Sequence, residues 1–257
     1  MPVSADAHQM RLDARPDRVR DMTTSPPTVH PTNSTDRLLL SVKDAIKRSG
    51  LEQIARQTTV RIARTTYTRT LRLIPNREEL PYVLNALGLV GVGAEIGVLE
   101  GEFSEHILSH WRGERLISVD PWIEMAPEEY VDSCNVSQED HEVLYETTRD
   151  RLARFGARSE IWRETADEAA SRVDPQSLDF VYLDARHDYD HVLGDLQHWF
   201  PLVRPGGIIA GHDYNDGEFL QGIHGVRSAV DGFFAAHQRS VHHTVTDMPC
   251  LSWIVRA

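Results

Sequence analysis

Within residues 178–214 the chain reads LDFVYLDARHDYDHVLGDLQHWFPLVRPGGIIAGHDY. Two acids (Asp184, Asp213), two histidines (His187, His212) and a tyrosine (Tyr214) fall at or just after the ends of its two apolar runs. Carboxylates can hold a cation or accept a proton, and imidazole exchanges protons near neutral pH. For these groups to act together, the runs ending at Leu183 and Ala210 must be parallel strands joined by a helix. Helical spacing of Tyr189, Val192, Leu193, Leu196, Trp199 and Phe200 supplies that helix and predicts a core-facing stripe. Pro205-Gly206-Gly207 supplies the turn. In such a βαβ unit both strands deliver their carboxyl ends to one edge of the sheet, where open α/β proteins bind ligands.

The flanking segments repeat the pattern. Strands are expected at 94–98, 116–119 and 160–163, and helices at 103–111, 141–155 and 167–172. A further helix is expected at 226–237, then an antiparallel hairpin at 242–245 and 251–255. This alternation predicts a doubly wound α/β fold with a seven-stranded, mostly parallel, Rossmann-like sheet and an antiparallel edge strand. Upstream, residues 1–36 are rich in Pro, Ser, Thr, Asp and Arg and read as a disordered leader. Residues 37–80 read as a small helical segment that caps the domain or forms a subunit contact, and a homo-oligomer through it is an expectation. Residues 81–257 are expected to form the main α/β domain.

Composition narrows the function. The 257 residues are 40% hydrophobic and 26% charged, which is ordinary for a globular domain. A net charge of −12 argues against a nucleic-acid partner. No apolar run is long enough for a membrane span. With only Cys134 and Cys250, no disulfide framework is indicated, and a reducing cytoplasm is the expected location.

A second constellation lies earlier, at AEIGVLEGEFS, residues 94–104. Gly97 and Gly101 at a strand-to-helix turn remove the Cβ atoms that would keep a ligand from the backbone. Ser104 is read as the N-cap of the following helix, with Phe103 and Leu108 as its hydrophobic staple. Asp120 ends the next strand, where a carboxylate suits a ribose diol. The G-x-G-x-x-G spacing is absent. Glu95 would repel a pyrophosphate but can accept from an ammonium group. An adenosine carrying an amino acid therefore fits better than a dinucleotide.

These motifs resemble the class I S-adenosylmethionine-dependent methyltransferases. Glu95, Gly97 and Gly101 match that family's acid-x-Gly-x-x-x-Gly turn, and Asp120, within VDPW together with Trp122, matches its ribose-binding acid. Asp184, His187 and Tyr189, with Pro205 to Gly207 and Gly211 to Tyr214, resemble the subgroup of macrocin-type sugar O-methyltransferases. The resemblance covers residues 80–257. It implies S-adenosyl-L-methionine as cofactor, with Glu95, Gly97, Gly101, Ser104, Asp120, Trp122, Thr165, Ala166 and Asp184 around it. It implies a sugar or small-molecule hydroxyl as acceptor, with Asp184, His187 and His212 as catalytic residues. In such relatives a magnesium ion sits on acids matching Asp184 and Asp213. Here His212 stands where a further acid is expected, and imidazole is a poor magnesium ligand. The metal is then held by two acids and water, or is another divalent ion, or is absent. His187 is either a general base or a structural residue, and Tyr214 either lines the acceptor pocket or packs at the sheet edge. Residues 121–140, acidic and helix-poor, are expected to form a mobile lid. A second reading is a non-methylating protein of the same fold, partnering a hydroxylase-type tailoring assembly.

Overall fold

Apolar runs too short for helices and rich in Val, Ile and Leu become the strands of a central sheet. The computed structural model describes Arg64 and residues 67–257 except 220 and 221, all within the unit Ala55–Ala257. The expected leader at 1–36 lies outside the described residues. So does most of the expected helical segment at 37–80, of which Arg64 and 67–70 are helical. A 3-10 turn, Arg77–Glu79, leads into α1 (Leu80–Leu87).

The elements then alternate. They run β1 (Val92–Ile96), α2 (Glu102–His110), β2 (Arg115–Val119), α3 (Gln138–Leu152), β3 (Ser159–Trp162) and α4 (Ala166–Ala170). After these come β4 (Leu178–Leu183), α5 (Tyr189–Trp199), β5 (Val203–Gly211), β6 (Asp216–Phe219) and β7 (Gly222–Gly225). The chain closes with α6 (Val226–Ala236), β8 (His242–His243) and β9 (Trp253–Arg256). The main sheet has the order β3-β2-β1-β4-β5-β9-β8. Its first five strands are parallel, β9 runs antiparallel to β5, and β8 pairs antiparallel with β9. The predicted seven-stranded, mostly parallel sheet is thus the observed one.

The sheet is buried on both faces, because successive strand residues point to opposite sides. Val181, Leu183 and Ile209 join Val192, Leu196 and Trp199 of α5 and Val230 and Phe234 of α6 in one core layer. Phe180, Tyr182 and Ile208 join Val83 and Leu84 of α1 and Ile107 of α2 in the other. Each such side chain contributes about 1.5–3 kcal/mol by leaving water. The stripe expected on α5 holds except at its first member. Tyr189 is 45% exposed, because at the first helical position it still faces the loop edge rather than the sheet.

The order of β1 and β4 matters most for function. Strand order reverses between them, since β1 leads outward through β2 to β3 and β4 leads outward through β5. Connections leaving such a switch point diverge and open a crevice at the carboxyl ends of the strands. A separate two-stranded ribbon, β6–β7, lies beyond β5. It was not expected, because DGEF and GIHG have no apolar alternation.

Candidate active site

The crevice is a cavity of about 580 Å³ at the carboxyl ends of β1 to β4. On the side of β1 to β3 it is lined by Glu95, Gly97, Asp120, Trp122, Thr165 and Ala166, and on the other by Asp184, His187 and Asp213. Two expected members do not line it: Gly101 and Ser104 sit one layer behind. Nor does His212, which lines a small adjoining pocket.

The turn after β1 depends on its glycines. Gly97 has φ +85°, and a Cβ there would fall 2.0 Å from the carbonyl oxygen of Asp184. Gly101, at φ 79°, is the N-cap of α2. The expectation that Ser104 caps this helix is corrected: Ser104 is its third residue and fully buried. The left-handed glycine takes the capping position, which frees the Ser104 hydroxyl to bond Glu95 Oε2 and to sit 2.8 Å from Ser118 Oγ. Glu95 is 2% exposed. Burial pushes its carboxyl up to about 8, against the Ser104 hydrogen bond, which favours the ionised form.

Asp120 organises this wall. Its Oδ2 accepts from the backbone N–H groups of Val98 (2.8 Å) and Leu99 (3.0 Å), and its Oδ1 from that of Trp122 (2.9 Å). A carboxylate offers about four lone-pair sites, so about one remains for a ligand, fewer than the two that an undivided ribose clamp would use. Trp122 is buried, with its indole N–H on the Leu99 carbonyl at 2.7 Å. Thr165 caps α4 through a reciprocal capping box with Glu168, which fixes the loop after β3 at the cavity wall.

Across the cavity, β4 and β5 present the acids and histidines as the βαβ unit required. The Asp188 side chain caps α5 by accepting from the His191 backbone N–H, so His187 is not the cap. His187 Nδ1 lies 3.2 Å from Asp132 Oδ2, and its Nε2 lies 3.0 Å from Asp213 Oδ2 and 3.9 Å from Asp184 Oδ1. Burial alone would lower its pKa, but the Asp132 hydrogen bond and the nearby carboxylates of Asp184 and Asp213 prevail and push it up to about 12. His187 is therefore a cation at neutral pH here, whereas a free imidazole would be poised to take a proton. Asp213 carries φ 51°. Burial would raise its pKa, but His187 and His212 hold it far below the usual carboxylate range. His212 Nδ1 is 3.2 Å from Asp213 Oδ2 and 3.8 Å from Asp184 Oδ1. Tyr214 packs at the sheet edge and donates to Asp231 Oδ1 at 2.5 Å.

Four contributors escaped sequence reasoning. Arg77, from the 3-10 turn before α1, lines the cavity and places Nη1 3.1 Å from Asp184 Oδ2. Asp132 reaches His187 from the 121–140 loop. His224 of β7 stacks on His187, with ring centroids 4.7 Å apart and planes 19° apart. Asp195 of α5 lines the cavity beside Thr165 and Ala166, and burial, with the charges of Asp167 and Asp188, pushes its carboxyl up to about 7. None of the four belongs to a motif with readable spacing. From the segment that precedes α3, Asp132 meets His187, and the Glu129 carbonyl accepts from Arg186 at 2.7 Å.

Among the described residues, two groups of side chains bring potential metal donors within 4.8 Å of one another: Asp184, His212 and Asp213, and Asp132, His187 and His224. The second is a poor cage, since lone pairs in nearly parallel stacked rings do not converge on one point. The first does not fit magnesium. It offers two carboxylates, but the third donor is an imidazole, a poor magnesium ligand. Its acids already face Arg77, His187 and His212.

A family model described as a methyltransferase domain matches residues 94–214, the span from β1 to the residues just after β5. A protein of Staphylococcus aureus named for caffeoyl-CoA O-methyltransferase has a similar structure, with a TM-score of 0.53 and 12% identity over 82% of this chain and 100% of that one. A protein of Clostridium thermocellum named for rRNA methylation gives 0.50 and 13% over 71% and 95%. At such identities the likeness is one of fold alone. A curated but uncharacterized protein of Sinorhizobium fredii is 33% identical over 55 residues, which are 21% of this chain and only 6% of that protein's length. Among the described residues no helix is long and apolar enough to cross a membrane. The residues that match the methyltransferase domain thus build the doubly wound sheet whose switch point holds the cavity.

Proposed function

We propose that residues 81–257 move the methyl group of S-adenosylmethionine onto a hydroxyl of a small molecule or sugar. The observation that carries this is the sharing of one cavity by two sets of groups. Glu95, Asp120, Thr165 and Ala166 suit an adenosine bearing an amino acid; Asp184, His187 and Asp213 suit an oxygen that must lose a proton.

In this reading Glu95 accepts from the ammonium of the methionine moiety, and the remaining lone pair of Asp120 accepts from a ribose hydroxyl. Trp122 backs the sugar, and Thr165 and Ala166 border the adenine. The displacement forms a carbon–oxygen bond and breaks a carbon–sulfur bond. The sulfonium leaves as a neutral thioether, and the hydroxyl proton passes to a carboxylate. Asp184 is the proton acceptor, because it lines the cavity while His187 is already protonated. His187 instead stabilises the developing oxyanion as a cation held in place beforehand. Alignment of the two reactants in one pocket supplies up to about 7–11 kcal/mol of the barrier reduction.

The test is release of S-adenosylhomocysteine when the full chain is incubated with S-adenosylmethionine and a panel of sugars, phenols and hydroxy acids. Turnover with a hydroxylic acceptor, lost in Asp184→Asn, is the expected result. Turnover confined to amines or thiols would overturn the oxygen assignment. Cofactor binding without turnover on any acceptor would favour a non-catalytic partner of the same fold.

A further inference from the structure

The acids that end β4 and β5 are those on which related sites would seat a divalent cation, yet the chain surrounds them with its own positive groups. The Arg77 guanidinium takes one oxygen of Asp184 at 3.1 Å. The nearer oxygen of Asp213 sits 3.0 Å from His187 Nε2 and 3.2 Å from His212 Nδ1. Arg77 is not a loose surface arginine. Its backbone N–H donates to Asp247 Oδ2 at 2.9 Å, and its guanidinium lies over the Phe103 ring, 4.9 Å from the centroid. Its side chain is 30% exposed, and it forms part of the cavity wall beside Glu95 and Asp184. An arginine keeps its charge at any pH at which the protein folds, so this cation is permanent. A metal bound to Asp184 would sit against it at close range and be repelled.

Building on the methyltransferase reading, we propose that Arg77 holds the position of the divalent cation, so that methyl transfer in this protein proceeds without a metal ion. Arg77 balances the charge of Asp184. It also directs N–H donors into the cavity, where an oxygen losing its proton gains negative charge. The departure at His212, where an acid would complete a magnesium site, is then the second half of one substitution. One acid is replaced by imidazole, and the missing positive charge is brought in from the turn before α1.

The experiment is a titration of the full chain with MnCl2, read by the electron paramagnetic resonance of free Mn2+, and with MgCl2, read by calorimetry. S-adenosylmethionine binding is measured on the same samples. Wild type is expected to bind neither ion more tightly than the millimolar range, and dialysis against EDTA is expected to leave its cofactor affinity unchanged. Arg77→Ala uncovers Asp184 and is expected to gain at least about tenfold in Mn2+ affinity, as follows from removing a unit positive charge beside the site. Asp184→Asn added to it abolishes the gain. Micromolar binding of either ion by wild type overturns the proposal, and this arm decides even if Arg77→Ala does not fold. So does an Arg77→Ala protein that binds the cofactor normally and gains no Mn2+ affinity. Absence of cofactor binding in every sample would instead refute the methyltransferase reading, a separate outcome.

Discussion

Glu95→Gln is the substitution whose effect the structure specifies most closely. The carboxyl is 2% exposed, takes a hydrogen bond from the Ser104 hydroxyl and is held protonated up to about pH 8, chiefly by burial. Its pKa is raised from 4.5 in the unfolded chain. The stability this group contributes is therefore fully present below pH 4.5 and is lost progressively as pH rises through about 8. Glutamine keeps the shape and an acceptor for Ser104 but never ionises. The variant's stability relative to wild type should thus rise with pH, by about 4 kcal/mol between pH 5 and pH 8.5 at 1.36 kcal/mol per pKa unit. Urea unfolding of both proteins at the two pH values measures it. A relative stability that does not change with pH would show that Glu95 is ionised in the fold and refute the reasoning. The same residue links binding to protons. If Glu95 accepts from the cofactor's ammonium, binding near pH 6.5 should release up to one proton, visible as a dependence of the calorimetric heat on buffer ionisation enthalpy. The glutamine variant should release none and bind at least about tenfold more weakly, as expected for losing one charge-assisted hydrogen bond.

Three further outcomes follow from the same geometry. Asp120→Ala leaves the N–H groups of Val98, Leu99 and Trp122 without their acceptor and should cost at least about 2 kcal/mol in thermal or urea unfolding; a loss below about 0.5 kcal/mol would show that these bonds are replaced by water. Gly97→Ala places a methyl 2.0 Å from the Asp184 carbonyl oxygen at φ +85°, and should abolish cofactor binding or destabilise the fold by more than about 3 kcal/mol. Asp132→Asn removes one of the three carboxylates on His187, whose raised pKa holds it charged from below 6.5 up to about 12. The His187 ring proton shifts should be flat between pH 6 and 9 in wild type and should begin to move within that range in the variant. An unchanged variant would mean that Asp184 and Asp213 suffice.

Strands β2 and β4 were legible because they are buried on both faces and so read as short continuous apolar runs, each closed by an acid. Phe180–Leu183 before Asp184 and Leu116–Val119 before Asp120 are these runs, and both acids line the cavity. The ribbon β6–β7 was not legible, since none of its first strand is buried and neither strand alternates apolar and polar residues. Ser104 was assigned to a cap because a serine before an apolar helical run usually is one, but a glycine three residues earlier can adopt φ 79° without strain and took that place. Arg77 and Asp132 reach the site from an isolated 3-10 turn and an irregular loop. Their positions depend on how those segments cross the sheet edge, a tertiary fact without periodicity. The sequence placed an imidazole beside Asp184, but only the fold brings Asp132 and Asp213 against its two ring nitrogens and makes it a lasting cation.

The most direct test of the central claim is a calorimetric titration of the full chain with S-adenosylmethionine, repeated with Asp120→Asn and with NAD as a control. One cofactor molecule bound per chain, weakened in Asp120→Asn, with no heat from NAD, is the result expected of a class I methyltransferase whose cofactor lies along β1 and β2. Binding of NAD, or binding of S-adenosylmethionine that is indifferent to Asp120, would contradict it.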